Sequence, residues 1–126
     1  KSRHYQTKHY QLSDINGIQV IELDIEIEGE IQRLRGEGNG PISAMLNALQ
    51  LPIDVVNYEE RSIGSGANAK ALALIELQVK GTGKNAFGAG VHDNIVTSSI
   101  DAIIACTNRL IEQGVLTTEQ VAAAAV

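Results

Sequence analysis

The chain of 126 residues is poor in aromatic and sulfur-containing side chains. It has no tryptophan, one phenylalanine, three tyrosines, one methionine and one cysteine. With so few large rings, its core has to be built from isoleucine, leucine, valine and alanine, which suits helices and sheets packed in layers. A single cysteine excludes a disulfide within the chain. The length predicts one domain that folds around its own core without cross-links.

Basic residues and long apolar runs are also scarce. Ten Lys and Arg residues against fifteen Asp and Glu residues give a net charge of −5. The basic residues form no cluster that could neutralise successive phosphates, which argues against a nucleic-acid partner. No apolar run approaches the roughly 18 residues of a membrane helix, and no signal peptide opens the chain. These features predict a cytoplasmic protein without a membrane partner. Because residue 1 is lysine, we also interpret the chain as part of a longer one.

The most distinctive segment is Gly-Glu-Gly-Asn-Gly-Pro at residues 36–41, which joins a strand pattern to a helix pattern. Alternate glycines permit positive φ and close backbone approach. Pro41 suits the first helical position, because its missing N–H would have no partner there. The free N–H groups at a helix start attract carboxylates. The segment predicts a ligand-binding turn, and a plain connection between strand and helix is the alternative.

The hydrophobic pattern divides the chain into two similar halves. In the first, apolar and acidic residues alternate across residues 18–28, as in a strand with one solvated face. Two more strands are predicted at residues 5–13 and 30–37. A helix with apolar residues at i, i+3, i+4 and i+7 begins at Pro41 and stops before Pro52. These elements form a first repeat over residues 5–51.

The second repeat, residues 52–114, has the same order of elements. Strands are predicted at 53–63, 69–80 and 85–91, followed by a helix over 93–113. A helix in the C-terminal tail, residues 115–126, completes the chain. The repeated order predicts an α+β fold of tandem, pseudo-symmetric βββα units, with antiparallel sheets covered by helices. Other predicted features are a hairpin turn at Gly81-Thr82-Gly83, a second glycine turn at Gly88-Ala89-Gly90, an N-cap at Asp93 and a helix end at Gly114.

Three motifs in this order resemble the C-terminal regulatory domain of the 2-isopropylmalate synthases. The first is the glycine segment at residues 36–41. The second is Tyr58-Glu59-Glu60 followed by Gly-Ser-Gly-Ala-Asn-Ala at 64–69. The third is Gly-Ala-Gly at 88–90 followed by Asn-Ile-Val-Thr-Ser-Ser at 94–99. The resemblance covers roughly residues 8–112, and citramalate synthases carry a similar domain.

The resemblance implies a leucine-binding, homodimeric regulatory domain. In that family the whole enzyme condenses acetyl-CoA with 2-oxoisovalerate on a metal-dependent TIM barrel, and leucine inhibits it from a distance. A TIM barrel needs roughly 250 residues, so the catalytic domain and its divalent metal lie outside this chain. The domain is therefore expected to have no catalytic activity and no cofactor of its own. The alternatives are a citramalate synthase domain that binds isoleucine and a dimerisation domain without a ligand.

The resemblance also places an effector pocket on two helix starts and one strand. The glycine turns would donate N–H groups to the leucine carboxylate, and Asn39 or backbone carbonyls would accept from its ammonium. Ile42, Ile95 and the ring of Tyr58 would wall a slot for the isobutyl group. Ser62 stands where a small apolar residue is frequent in the family. One methylene group changes the binding free energy in a hydrophobic pocket by only about 1–3 kcal/mol, so the sequence does not distinguish leucine from isoleucine as the effector. The predicted pocket residues are Gly38, Asn39, Gly40, Ile42, Ser43, Tyr58, Ser62 and Ile95.

We interpret the histidines and the cysteine as structural residues, not as metal ligands or nucleophiles. His4 and His9 are five apart on a predicted strand and should point to opposite faces, so a metal site with His92 is not expected. Cys106 lies within an apolar helical pattern and is interpreted as a buried hydrophobe, not a nucleophile. A small enzyme using His92 and nearby carboxylates is a third class of function, but no recognisable Ser/His/Asp or Cys/His set supports it.

Overall fold

A computed structural model describes residues 4–124 as two consecutive βββα units followed by a short helix. The predicted α+β fold with tandem units is confirmed. The end of the predicted tail helix, residues 125–126, lies outside the described residues. The elements are β1 (Tyr5–Ile15), β2 (Ile18–Ile27), β3 (Glu30–Gly38), α1 (Pro41–Leu49), β4 (Ile53–Ile63), β5 (Lys70–Val79), β6 (Asn85–His92), α2 (Ile95–Glu112) and α3 (Thr118–Ala124), with one 3-10 turn at Gly66–Asn68.

Each unit forms one three-stranded antiparallel sheet. The first sheet has the order β1-β2-β3 and the second has the order β4-β5-β6. The register repeats as well, because Tyr10 lies opposite Leu23 in the first sheet and Tyr58 lies opposite Ile75 in the second. A bulge precedes each tyrosine. The two units are therefore related residue by residue, and Tyr10 is the counterpart of Tyr58.

The core is one largely aliphatic cluster that includes residues of both units. The central strands β2 and β5 turn their apolar residues towards the helices, and α2 touches both sheets. The Tyr10 hydroxyl on β1 lies 2.6 Å from Thr97 Oγ1, and Ser98 Oγ donates to the Ala71 carbonyl of β5 at 2.9 Å. The exposed strip of α2 contains Asp101, Ala105, Arg109 and Glu112.

The glycines of the two Gly-x-Gly motifs lie mostly inside strands. Gly36 and Gly38 end β3, whereas Gly88 and Gly90 lie in the middle of β6. None of them has a positive φ, and Gly40 is extended with φ −159. The prediction of a glycine turn at residues 88–90 is therefore wrong, as is the expectation that the first motif uses positive φ.

Close packing of helix on strand explains these glycines instead. A Cβ on Gly36 would overlap the backbone of Ala44 and Ala48 in α1, and a Cβ on Gly90 would overlap the backbone of Ser98 and Ala102 in α2. The absent side chains let each helix lie directly on the last strand of its own unit.

The two helices differ in length, and this breaks the symmetry of the units. α1 has 9 residues and α2 has 18. The longer α2 also touches β1, where Asn108 accepts from Tyr5 N–H at 2.8 Å and donates to the Tyr5 carbonyl at 2.9 Å. The shorter α1 leaves β4 largely bare, with Ile53 as its one buried residue. An uncovered strand therefore lies beside the helix starts.

Candidate functional site

The predicted effector residues lie at the starts of α1 and α2 and on β4. Gly38 ends β3, and Asn39 and Gly40 connect it to α1. Ile42 and Ser43 belong to the first turn of α1, Tyr58 and Ser62 to β4, and Ile95 is the first residue of α2. Four of the eight line two separate cavities: Ile42 and Ser43 line one, and Ser62 and Ile95 line the other. Tyr58 lines a third cavity, and Gly38, Asn39 and Gly40 line none of these three.

The first cavity, of about 670 Å³, lies between α1 and the start of β4. Ile42 and Ser43 line it together with Leu46 and Val55. Gly38 backs onto this site, because a Cβ there would lie 2.5 Å from Ser43 Oγ. Its apolar lining comes from Ile42 and Leu46 of α1, from Leu51, and from Ile53 and Val55 of β4.

The second cavity, of about 350 Å³, lies at the start of α2. It brings together Ser62 of β4 and Ile95 of α2, with Ala69 and Ala71 as small apolar neighbours. Four ionisable side chains also line it: Glu60, Arg61, Lys70 and Asp93. The lining therefore combines side chains of both charges with a small apolar surface.

Tyr58 links β4 to α2. Its hydroxyl lies 2.7 Å from Ser99 Oγ and donates to Glu60 Oε2 at 2.9 Å. Burial raises the pKa of the Tyr58 phenol above its usual value, so the hydroxyl stays protonated at neutral pH. Glu60 is not among the predicted effector residues, and its contact with Tyr58 is the feature that sequence reasoning missed. The available signal was the i, i+2 spacing, which puts both side chains on one face of a strand.

The start of α2 is capped by Asn94. Its side-chain oxygen accepts from Val96 N–H at 2.8 Å and from Thr97 N–H at 3.2 Å. The prediction that Asp93 is the N-cap is wrong, because the helix begins at Ile95 and Asn94 is the extended residue directly before it.

Asp93 pairs with Lys70 instead. Lys70 Nζ donates to Asp93 Oδ1 at 2.8 Å, and this hydrogen bond holds the pKa of the Asp93 carboxyl below its usual value. The first turn of α2 contains no acidic residue. Because the Asn94 side chain already accepts from two of the N–H groups there, the attraction for a carboxylate from elsewhere rests mainly on the positive end of the helix dipole.

The first turns of α2 are bonded to both sheets. Thr97 contacts Tyr10 of β1, and Ser99 contacts the counterpart Tyr58 of β4. The first turns of α2 therefore carry hydroxyl contacts from both units, and the second cavity reaches this segment at Ile95.

The other candidate groups are accounted for by local contacts. His92 Nδ1 accepts from the backbone N–H of Asn94 at 3.0 Å. Among residues 4–124, no group of three or more His, Cys, Asp or Glu side chains is placed to hold a metal ion. Within that same range, no helix has both the length and the apolar composition needed to cross a membrane.

Cys106 is buried, which confirms its interpretation as a core residue, and its thiol donates to the Ala86 carbonyl at 3.1 Å. Burial raises its pKa to about 11, so very little thiolate exists at neutral pH. Because the thiolate is the reactive form, we expect no reaction with Ellman's reagent in the folded chain at pH 8 and full reaction in urea. Absorbance at 412 nm follows this directly, and fast labelling without denaturant would contradict the burial of Cys106.

Comparison with known proteins identifies the family to which the chain belongs. The family described as the LeuA allosteric (dimerisation) domain matches residues 1–111. Similar proteins include the 2-isopropylmalate synthase of Azoarcus sp. (strain BH72), which is 43% identical over 109 residues, covering 86% of this chain and 19% of that protein. The 2-isopropylmalate synthase of Agrobacterium fabrum is 39% identical over 108 residues, 82% of this chain and 19% of that protein. The chain spans about a fifth of the length of these relatives.

Proposed function

The chain belongs to the LeuA allosteric (dimerisation) domain family, and we propose that it is the leucine-binding regulatory domain of a 2-isopropylmalate synthase. In this proposal the other four-fifths of the protein carry an acyltransferase that joins acetyl-CoA to 2-oxoisovalerate with the help of a divalent metal. Binding of leucine to this domain inhibits that reaction, as feedback on leucine biosynthesis in the cytoplasm.

The observation that most supports binding of an amino acid is the largely exposed strand β4, which has a cavity on each side of Tyr58. The second cavity opens at the start of α2, and the first runs along α1 from Ile42 near its start to Gln50 at its C-cap. The start of each helix has no acidic residue in its first turn. Such an end accepts a carboxylate, and the neighbouring Ile42, Val55 and Ile95 provide apolar contacts. An aliphatic amino acid combines these two chemistries.

The same strand supports a homodimer. Val55, Val56 and Ile63 of β4 are 37%, 49% and 39% exposed, although most of the other isoleucine and valine residues are buried. Exposed apolar residues on an edge strand tend to be covered by another protein surface. The family description names dimerisation, so a second copy of the chain is the partner we propose.

Feedback follows if leucine changes how α2 is held between the sheets. Thr97 and Ser99 connect its first turns to β1 and β4, so a ligand at the start of α2 biases the angle or the order of both units. Coupling between distant sites typically amounts to about 1–3 kcal/mol and requires two states that the ligand distinguishes. We propose that the dimer transmits this difference to the catalytic domains.

Titration calorimetry with leucine, isoleucine and valine, with the mass in solution measured on the same samples, tests the proposal. We expect saturable binding of leucine by a dimer. A hundredfold excess over the dissociation constant should also stabilise the fold by about 2.7 kcal/mol, which a thermal shift detects. A preference for isoleucine would support the citramalate synthase alternative, and a dimer that binds none of the three would support a ligand-free dimerisation domain.

A further inference from the structure

We propose that the outer face of the second sheet docks onto the catalytic part of the same polypeptide and passes the effect of leucine to it. The inference rests on the proposed function and adds a contact surface to it. Five apolar residues of β5 and β6 form this surface, and we name them the apolar face: Leu72, Leu74, Phe87, Ala89 and Val91.

The apolar face lies on the side of the second sheet that points away from α2. In β6, the exposed Phe87, Ala89 and Val91 alternate with buried residues that lie under α2. Leu72 lies opposite Val91 and Leu74 lies opposite Ala89, so the apolar residues of the two strands adjoin. Phe87 is 61% exposed and Val91 is 50% exposed. Contiguous exposed apolar residues of this kind mark contact sites for another protein surface.

The edge of the apolar face is polar. On β4, Glu59 lies opposite Leu74 and Arg61 lies opposite Leu72, and Arg61 Nη2 is 3.2 Å from Glu59 Oε1. A cavity of about 250 Å³, lined by Glu59, Leu74 and Phe87 among others, provides room for a side chain of the partner. An apolar centre with a recess and a polar rim is the usual anatomy of a protein interface.

The equivalent face of the first sheet is charged. Leu23 and Ile75 lie opposite the counterpart tyrosines, so the register relates β2 to β5 and β3 to β6 position by position. At four of the five positions of the apolar face the first sheet has a charged residue: Glu22 for Leu74, Arg33 for Phe87, Arg35 for Ala89 and Glu37 for Val91.

The charged residues of the first sheet pair with one another. Arg35 Nη1 lies 2.8 Å from Glu37 Oε2, Arg35 Nε lies 3.9 Å from Glu22 Oε2, and Arg33 pairs with Asp24. The same fold therefore tolerates a fully solvated outer face. The apolar residues of the second sheet are not needed for folding, and burial against another surface accounts for them.

The size of the apolar face favours a partner in the same polypeptide over a second copy. A stable contact between separate proteins uses roughly 20–30 residues from each side. Domains of one polypeptide hold together through smaller surfaces, because a linker keeps their local concentration at about the millimolar level. The chain spans about a fifth of the length of its relatives, so a large linked partner is present in the proposed enzyme.

The start of β1 lies beside the apolar face. Tyr5, the first residue of β1, lines a cavity of about 490 Å³ together with Ala89 and Val91 of β6. The family resemblance places this domain at the C-terminal end of the enzyme, so the catalytic part is joined ahead of β1. The connection between the two parts therefore lies next to the face that the catalytic part covers.

The second sheet also connects the apolar face to the proposed effector site. Tyr58 lies opposite Ile75 and Ser62 lies opposite Ala71, on the side of the sheet that faces α2. Effector residues and the apolar face thus occupy the two sides of one sheet. A shift of this sheet on leucine binding would be passed directly to a domain docked on its outer face.

Hydroxyl-radical footprinting tests the docking. Phe87 is the one phenylalanine of the chain, so its oxidation is read from the mass of a single peptide. We expect Phe87 to be oxidised in the 126-residue chain and to be protected in the whole enzyme. The matched control is Ile31, which is 60% exposed on the outer face of the first sheet and should react equally in both.

The variant Phe87→Arg tests the regulatory role. Phe87 lies opposite Glu76, so the new guanidinium has a cross-strand carboxylate, as Arg33 has in the first sheet, and the fold should be kept. We expect the 126-residue variant to bind leucine with unchanged affinity, and the whole enzyme to need about tenfold or more leucine for half-inhibition. Ile31→Arg makes the same change on the first sheet and should leave inhibition unchanged.

The outcomes separate this inference from the proposed function. Equal oxidation of Phe87 in the 126-residue chain and in the whole enzyme would overturn the docking. Protection of Phe87 in the 126-residue chain, with a monomer mass for Phe87→Arg, would assign the face to a second copy and also overturn it. Unchanged inhibition of the whole Phe87→Arg enzyme would overturn the regulatory role. Absence of leucine binding would overturn the proposed function, whereas the footprint requires no leucine and tests the docking by itself.

Discussion

Replacing Gly36 with serine is expected to lower the free energy of unfolding by about 3 kcal/mol or more. The new Cβ would overlap the Ala44 carbonyl oxygen and would lie 2.8 Å from the Ala48 Cα. These are backbone atoms of α1, so no side-chain rotation relieves the overlap and the helix has to move away from β3. Urea unfolding measures the loss, as a lower midpoint at an unchanged slope.

The matched control is the same substitution at Gly40, two glycines further along the same motif. Nothing lies within 4 Å of a Cβ at Gly40, and its backbone is extended at the N-cap of α1. Serine is a preferred N-cap residue, so Gly40→Ser should be as stable as the parent or slightly more stable. Equal losses in the two variants would contradict the close-packing explanation of Gly36.

Replacing Ile95 with aspartate is expected to weaken leucine binding by more than about tenfold while the chain stays folded. Ile95 is the first residue of α2 and is only partly buried, and an acidic residue at this position is favoured by the helix dipole. In the second cavity, however, the new carboxylate would remove an apolar contact and repel the carboxylate of leucine. Calorimetry measures the affinity, and thermal unfolding measures the fold.

The same chemical change at Ile31 provides the control. Ile31 is 60% exposed on β3, opposite Glu26 and away from the helix-covered face. Ile31→Asp should therefore leave the affinity for leucine unchanged. If Ile95→Asp binds leucine as tightly as the parent and the Ile31 variant, the effector does not contact the start of α2.

Local patterns predicted most of the strands and helices. The alternation of Ile21, Leu23, Ile25 and Ile27 with acidic residues determines which face of β2 is buried, because side chains of a strand alternate between faces. Glu28-Gly29 has the positive φ values of a two-residue hairpin turn. Such signals come from consecutive residues, so they are readable without any knowledge of distant contacts.

The candidate site could be predicted only in part, because it depends on contacts between segments that are far apart in the sequence. The resemblance names Ser62 and Ile95, but their meeting in one cavity depends on how β4 lies against α2. The same packing separates them from Ile42 and Ser43, which line the other cavity. Glu60 resembles any solvated carboxylate in the sequence, and only its contact with Tyr58 distinguishes it.

The sequence by itself determined the order of the elements, the buried faces of the strands and the resemblance to a family, since each depends on residue types at short spacings. The tertiary structure decided which glycines lie under a helix and which do not: Gly36 and Gly40 are indistinguishable as letters, yet one faces the backbone of α1 and the other faces open space. It also decided which strands the helices cover: α2 reaches β1 through Asn108, whereas Ile53 is the one buried residue of β4. Contacts between distant segments set these features, and no local pattern records them.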